Sequence, residues 1–114
     1  MTREFITIPS FLVKWKKLNL NDADMIRLEQ DLLSNPKIGA VMRGTGGVRK
    51  MRFAFENRGK SGSVRVIYVD FEVYKKIYLI DVYQKADKDN LTDQERSEIK
   101  SMVELLEMTL EDNR

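Results

Sequence analysis

Four cations sit at spacings that can bring them together: Lys50, Arg52, Arg65 and Lys85. Lys50 and Arg52 are two residues apart, so in a strand both side chains leave the same face. Arg65 stands at the start of the apolar run 64–71, and Lys85 ends the apolar run 77–85. In a meander these three strands are neighbours, which puts the four charges within side-chain reach. Cations repel one another, so such a cluster points to an anion that will sit among them. Clustered guanidinium groups stabilise the extra charge of a pentacovalent phosphate. A lysine crowded by other cations also loses its proton more readily, as a general base must.

Other chemistries are poorly supplied. The chain has no His and no Cys, which removes zinc sites on imidazole or thiolate and Ser-His or Cys-His nucleophile pairs. No Asp/Glu group has the spacing of a two-metal nuclease, so no metal and no cofactor is expected. Asp81 interrupts an apolar run, where pairing with a nearby Lys or Arg explains it better than catalysis does. Gly44-Thr45-Gly46-Gly47 does not complete a dinucleotide fingerprint, because Arg49 stands where the third glycine belongs and a strand follows. Arg58-Gly59-Lys60-Ser61 resembles the tail of a phosphate loop, yet Ala54 occupies the upstream glycine position and no helix follows. Both read as turns.

Net charge is only +2, but from Arg43 to Arg65 seven bases face one acid, Glu56. From Ala86 onward nine acids face four bases. A basic middle on a nearly neutral chain suggests one phosphate-facing surface. The 114 residues, 42% apolar and 33% charged, suit one domain, 1–114, with one core. No apolar run reaches the roughly 20 residues of a membrane helix, and the opening residues lack the apolar centre of a secretory signal. The expected location is the cytoplasm.

The elements that must position the cations follow from periodicity. Residues 4–8 read as a short strand. Phe11, Leu12, Trp15 and Leu18 recur at helical spacing. A second helix starts after Asn21 or Asp22, carries Met25, Leu28, Leu32 and Leu33, and stops at Asn35 before Pro36. Val48, Lys50, Arg52 and Ala54 then alternate with Arg49, Met51, Phe53 and Phe55, so Met51, Phe53 and Phe55 face the core. A loop is expected at 56–63, strands at 64–71 and 77–85, and a turn at 73–76. Thr92-Asp93-Gln94-Glu95 has the form of a capping box, opening a helix with Ile99, Met102, Val103, Leu106 and Leu110 on one face. The fold class is α+β: a small, antiparallel-rich twisted sheet with an N-terminal helical hairpin and a C-terminal helix.

From Gly44 to Glu95 the sequence resembles bacterial toxins of the RelE/HigB superfamily. The matching residues are Gly44, Gly46, Gly47, Val48, Arg49, Lys50 and Arg52; then a basic Gly/Ser loop; then Ser63, Arg65, Val66, Ile67 and Tyr68; then Tyr83, Lys85, Asp87, Asn90 and Leu91. The preceding helical hairpin fits in order and length, so the resemblance covers nearly the whole chain. It implies a RelE-like fold and a toxin of a type II toxin–antitoxin pair. The implied activity is that of a ribosome-dependent, metal-independent endoribonuclease (an mRNA interferase). Such an enzyme enters the decoding site and cuts mRNA by attack of a ribose 2′-hydroxyl on the adjacent phosphate, which inhibits translation.

Carried over by position, Lys50 is a candidate base. Arg52 and Arg65 would hold the scissile phosphate, and Lys85 would stabilise charge or protonate the leaving oxygen. Arg49, Arg58, Lys60 and Tyr83 are candidate RNA contacts. Some relatives stack a tyrosine on a base shortly after the last cation. Leu91 stands there in this sequence, and Tyr83 is either a substitute or a plain sheet aromatic. The resemblance also implies a cognate antitoxin, often with a helix-turn-helix DNA-binding domain. This chain shows no such element, so it would reach DNA only through that partner. The alternatives are a non-catalytic toxin of the same fold, of the gyrase-inhibitor type, and a plain RNA-binding module.

Overall fold

A nearly unbroken apolar run is the mark of a strand covered on both faces, and residues 64–71 form the greater part of one. The computed structural model describes residues 2–57, 60–88 and 90–113, with backbone alone at 57, 60 and 61. In chain order the elements are β1 (Glu4–Thr7), α1 (Pro9–Lys17), α2 (Asp22–Ser34), β2 (Ala40–Val41), β3 (Arg49–Asn57), β4 (Lys60–Phe71), a 3-10 turn (Glu72–Tyr74), β5 (Lys76–Tyr83) and α3 (Asp93–Asp112). The sheet order is β1-β5-β4-β3-β2, with β4 at the centre. β1 runs parallel to β5, and the other neighbours are antiparallel. This is the expected α+β architecture.

Alternation along β4 divides the core in two. Val64, Val66 and Tyr68 point to the side where α1 and α2 supply Phe11, Trp15, Leu28 and Leu32. Ile67, Val69 and Phe71 point to the opposite side, where Val103 of α3 and Leu91 pack. Asn21 caps α2 through a reciprocal box with Asp24, and Thr92 caps α3 through the expected box with Glu95. At the far end of β4, the half-buried Asp70 is held in a two-pronged pair with Arg3, at 2.8 and 3.2 Å.

Several local expectations need correction. Of the loop expected at 56–63, residues 56–57 and 60–63 are strand: β3 and β4 continue into them, with Glu56 opposite Ser61 and Asn57 opposite Lys60; residues 58 and 59 lie outside the described ones. Arg65 is consequently not at the start of its strand but six residues into it. β5 ends at Tyr83, so Lys85 lies beyond the strand in the turn that follows. Gly44-Thr45-Gly46-Gly47 is a self-contained turn. The Thr45 hydroxyl donates to the Met42 carbonyl at 2.7 Å and accepts from the Val48 N–H at 3.1 Å. All three of its glycines have positive φ, between 77° and 104°. It is a turn closed on itself by the Thr45 hydroxyl.

The passage from α2 to β2 depends on one buried phenol. The Tyr68 hydroxyl donates to the Pro36 carbonyl at 2.8 Å and accepts from the Gly39 N–H at 3.0 Å. Gly39 must be glycine, because a Cβ there would lie 2.9 Å from the Lys50 carbonyl oxygen and 3.0 Å from the Tyr68 ring. Burial pushes the Tyr68 phenol above its usual pKa, against the opposing effect of the Gly39 hydrogen bond. Tyr68→Phe leaves a buried N–H and a buried carbonyl without this partner. It is expected to destabilise the fold by about 1–3 kcal/mol, read as a lowered urea midpoint at unchanged slope; an unchanged midpoint refutes the tether.

Candidate active site

Residues directly opposite in an antiparallel pair share a face, with Cβ atoms about 4.5–5.5 Å apart. Arg52 of β3 is opposite Arg65 of β4, and Arg65 is opposite Tyr83 of β5. These three side chains therefore form a row across the sheet. Lys50, two residues from Arg52, is on the same face and opposite Ile67. The face is the one that α3 packs on, and Tyr83 belongs to the same apolar cluster as Leu91 and Val103.

A bulge sets the last member. Tyr68 is opposite Leu79, but Ile67 is opposite Asp81, so β5 carries one extra residue, Ile80, at this point. Continued without that residue, the register would bring Val82 to Arg65. Bulges re-aim side chains in this way. The same stretch of β5 holds Asp81, whose carboxylate accepts from Lys14 Nζ at 2.7 Å and from the Val82 N–H at 2.9 Å. Asp81 is the structural partner of a lysine, as its place in the sequence suggested.

Two donors in the row are buried without a hydrogen-bond partner among the described residues: Arg65 Nη1 and the Tyr83 hydroxyl. Groups of this kind are uncommon in folded proteins, and they cluster at functional sites. Tyr83 is only 8% exposed. Burial, and then the Asp81 carboxylate, push its phenol above the usual range, while Lys88 and Arg65 pull the other way. The buried ring, with Lys88 Nζ 5.6 Å from its centroid, is not free to stack on a base as positioned.

The remaining candidates divide. Lys50 Nζ donates to Asn90 Oδ1 at 3.2 Å, which ties the segment after β5 across the face of β3. Arg52 is exposed, and Lys50 and Arg65 are half-buried. Lys85 is exposed on its turn, outside the row. Arg49 is on the other face and is engaged in structure, donating to the carbonyls of Lys37 at 3.3 Å and Gly39 at 2.7 Å. Arg58 and the side chain of Lys60 lie outside the described residues.

Sequence reasoning missed two cations. Arg27 of α2 reaches the Ala54 carbonyl at 3.0 Å and, with Arg52, lines an open groove of about 500 Å³ along the hairpin. Its signal would have required knowing where α2 packs. Lys88 forms an ion pair with Glu95 and lies over Tyr83. Among the described residues no group of His, Cys, Asp or Glu gathers that could hold a metal ion, and no helix is long and apolar enough to cross a membrane.

The sequence profile of the family described as RelE toxin of the RelE/RelB toxin–antitoxin system matches residues 9–113. Among solved structures, an E. coli toxin RelE with two arginine-to-alanine substitutions, in the free state, matches with a TM-score of 0.54. It is 18% identical, and the match covers 78% of this chain and 90% of that one. At that identity the likeness is one of fold.

Glu95 links the site to the start of α3. Its carboxylate accepts from Lys88 and, through Oε1, from the Thr92 N–H at 2.9 Å. Lys88 first, then the Thr92 N–H, lower its pKa from 4.5 to about 2. A carboxyl lowered in the folded state contributes stability that is present above its unfolded pKa and lost as pH falls through its folded one. The stability difference between the parent and Glu95→Gln is thus expected to be constant above pH 4.5 and to shrink between there and about 2. Urea unfolding at a series of pH values measures it; a difference independent of pH across that window contradicts the ion pair.

Proposed function

This chain belongs to the RelE toxin family, and from that premise we propose that it cuts mRNA on the ribosome at the row of Arg52, Arg65 and Tyr83. In this reading a ribose 2′-hydroxyl attacks its own 3′-phosphate. The bond from phosphorus to the next nucleotide's 5′-oxygen breaks, a 2′,3′-cyclic phosphate remains, and the proton lost by the attacking hydroxyl is matched by one gained at the leaving oxygen. Arg52 and Arg65 hold the non-bridging oxygens and neutralise the charge that builds on phosphorus, an effect strongest where the donors are fixed beforehand. Lys50, on the same face as Arg52, serves the attacking hydroxyl. Tyr83 contributes its hydroxyl. Arg58 and Lys60 contact flanking RNA. An antitoxin partner follows from the family; one with a helix-turn-helix domain would account for any DNA binding.

The observation that carries this reading is the pair of buried donors without a partner among the described residues, Arg65 Nη1 and the Tyr83 hydroxyl, opposite one another in register. Two donors withheld from solvent on a cationic face have lone-pair acceptors as their natural complement, and phosphate and sugar take most of the hydrogen bonds that proteins make to DNA.

Primer extension on a message translated in the presence of purified toxin tests it. The parent is expected to cut, and Arg65→Ala, shown folded by circular dichroism, is expected to cut about 100- to 1,000-fold more slowly. A folded Arg65→Ala variant that cuts like the parent refutes the site. Growth arrest with intact messages and damaged DNA would point instead to the gyrase-inhibitor class, and salt-sensitive RNA binding without cleavage to a binding module.

A further inference from the structure

We propose that Lys88, held over Tyr83 by Glu95, is the substrate-facing cation that completes the row of Arg52 and Arg65, in place of Lys85. The proposal rests on the nuclease reading and adds a residue to it.

The chain leaves β5 in a tight turn. The N–H groups of Asp87 and Lys88 both donate to the Gln84 carbonyl, at 3.0 and 3.2 Å. That turn leaves Lys85 exposed and carries Lys88 back over the sheet, its Nζ 5.6 Å from the centroid of the Tyr83 ring. An ammonium group has three donors. One is taken by Glu95, and the Lys88 side chain keeps 29% exposure, so donors remain for a ligand. The arrangement is also anchored. Glu95 gives one oxygen to Lys88 and the other to the Thr92 N–H, so the capping box that begins α3 also orients the cation. Arg65 is opposite Tyr83 in register and Lys88 lies over the Tyr83 ring, so cations from two elements flank one phenol, and both oppose the rise in its pKa. A phosphate oxygen accepting from the Tyr83 hydroxyl and Arg65 Nη1 would have Lys88 beside it. Glu95, whose carboxylate is engaged by Lys88 and the Thr92 N–H, is a positioning residue.

The experiment compares Lys88→Ala, Lys85→Ala and Glu95→Gln in two assays. One is single-turnover cleavage of a ribosome-bound message. The other is binding of the free toxin to a short single-stranded oligoribonucleotide carrying one 2′-deoxy nucleotide at the scissile position, over a salt series. Lys88→Ala is expected to slow cleavage about 100-fold. It should also weaken the oligonucleotide and reduce the slope of log affinity against log salt by about 0.7. Lys85→Ala should stay within about 3-fold of the parent in both, as one exposed charge contributes little. Glu95→Gln should slow cleavage without weakening the oligonucleotide, because it frees a positive charge while losing its orientation. Loss of both together would mark Glu95 as merely structural.

If Lys88→Ala binds and cuts like the parent while Arg65→Ala does not cut, this inference is wrong and the nuclease reading stands. If the parent leaves messages uncut while oligonucleotide binding still depends on Lys88, the nuclease reading fails and the Lys88 contact survives. If Lys85→Ala causes the loss instead, Lys85 is the cation and Lys88 is not.

Discussion

Arg52 and Arg65 face each other on adjacent strands, an arrangement that like-charge repulsion disfavours by an amount comparable to the roughly 0.2–1 kcal/mol of a favourable cross-strand pair. What holds them there is the register of β3 against β4, and that register is determined by the other face of the same strands. A slip of β3 by one residue would turn Arg52 toward Phe11 and Trp15 and expose Met51 and Phe53, each now 5% exposed or less. Burying one such side chain contributes about 1.5–3 kcal/mol, so the two of them outweigh the repulsion several-fold. Every later feature of the site depends on this imbalance: packing by α1 and α2 on one face dictates where charge accumulates on the other.

The bulge in β5 is a second device of the same kind. One added residue exchanges Val82 for Tyr83 opposite Arg65 and sends Val82 to the helical-hairpin core. Downstream of it, the segment that follows β5 is brought back across the sheet by contacts of different types. Leu91 packs into the core beside α3, Asn90 meets Lys50, and Lys88 meets Glu95. The site is thus bounded by three strands and by the first turn of a helix, with no single loop bearing the burden of geometry.

Much of this was legible in the residues. The strict alternation of Arg49 to Phe55 gave the face of every side chain on β3. Thr92 and Glu95 marked the start of α3, and the apolar run 64–71 marked a central strand. Other parts carried no periodic signal. β2 is two residues long, too short for any pattern. The pairing of Glu56 with Ser61 and of Asn57 with Lys60 joins residues that show no apolar alternation. The bulge is an offset between two strands, a property neither possesses alone. Lys88 and Lys85 look alike in the sequence, and only the turn at Gln84 and the position of Glu95 distinguish them. Sequence patterns reported orientation within an element; the relations between elements had to come from packing.

The parallel pairing of β1 with β5 joins residues 72 positions apart in the chain, Glu4 with Lys76. During synthesis the first strand therefore emerges long before the strand it pairs with exists. Contacts so distant along the chain are slow to form, because the intervening loop must close before they repay its entropy. The sheet becomes complete only once Lys76–Tyr83 has been made, so the strand that comes first in the chain is among the last to be paired.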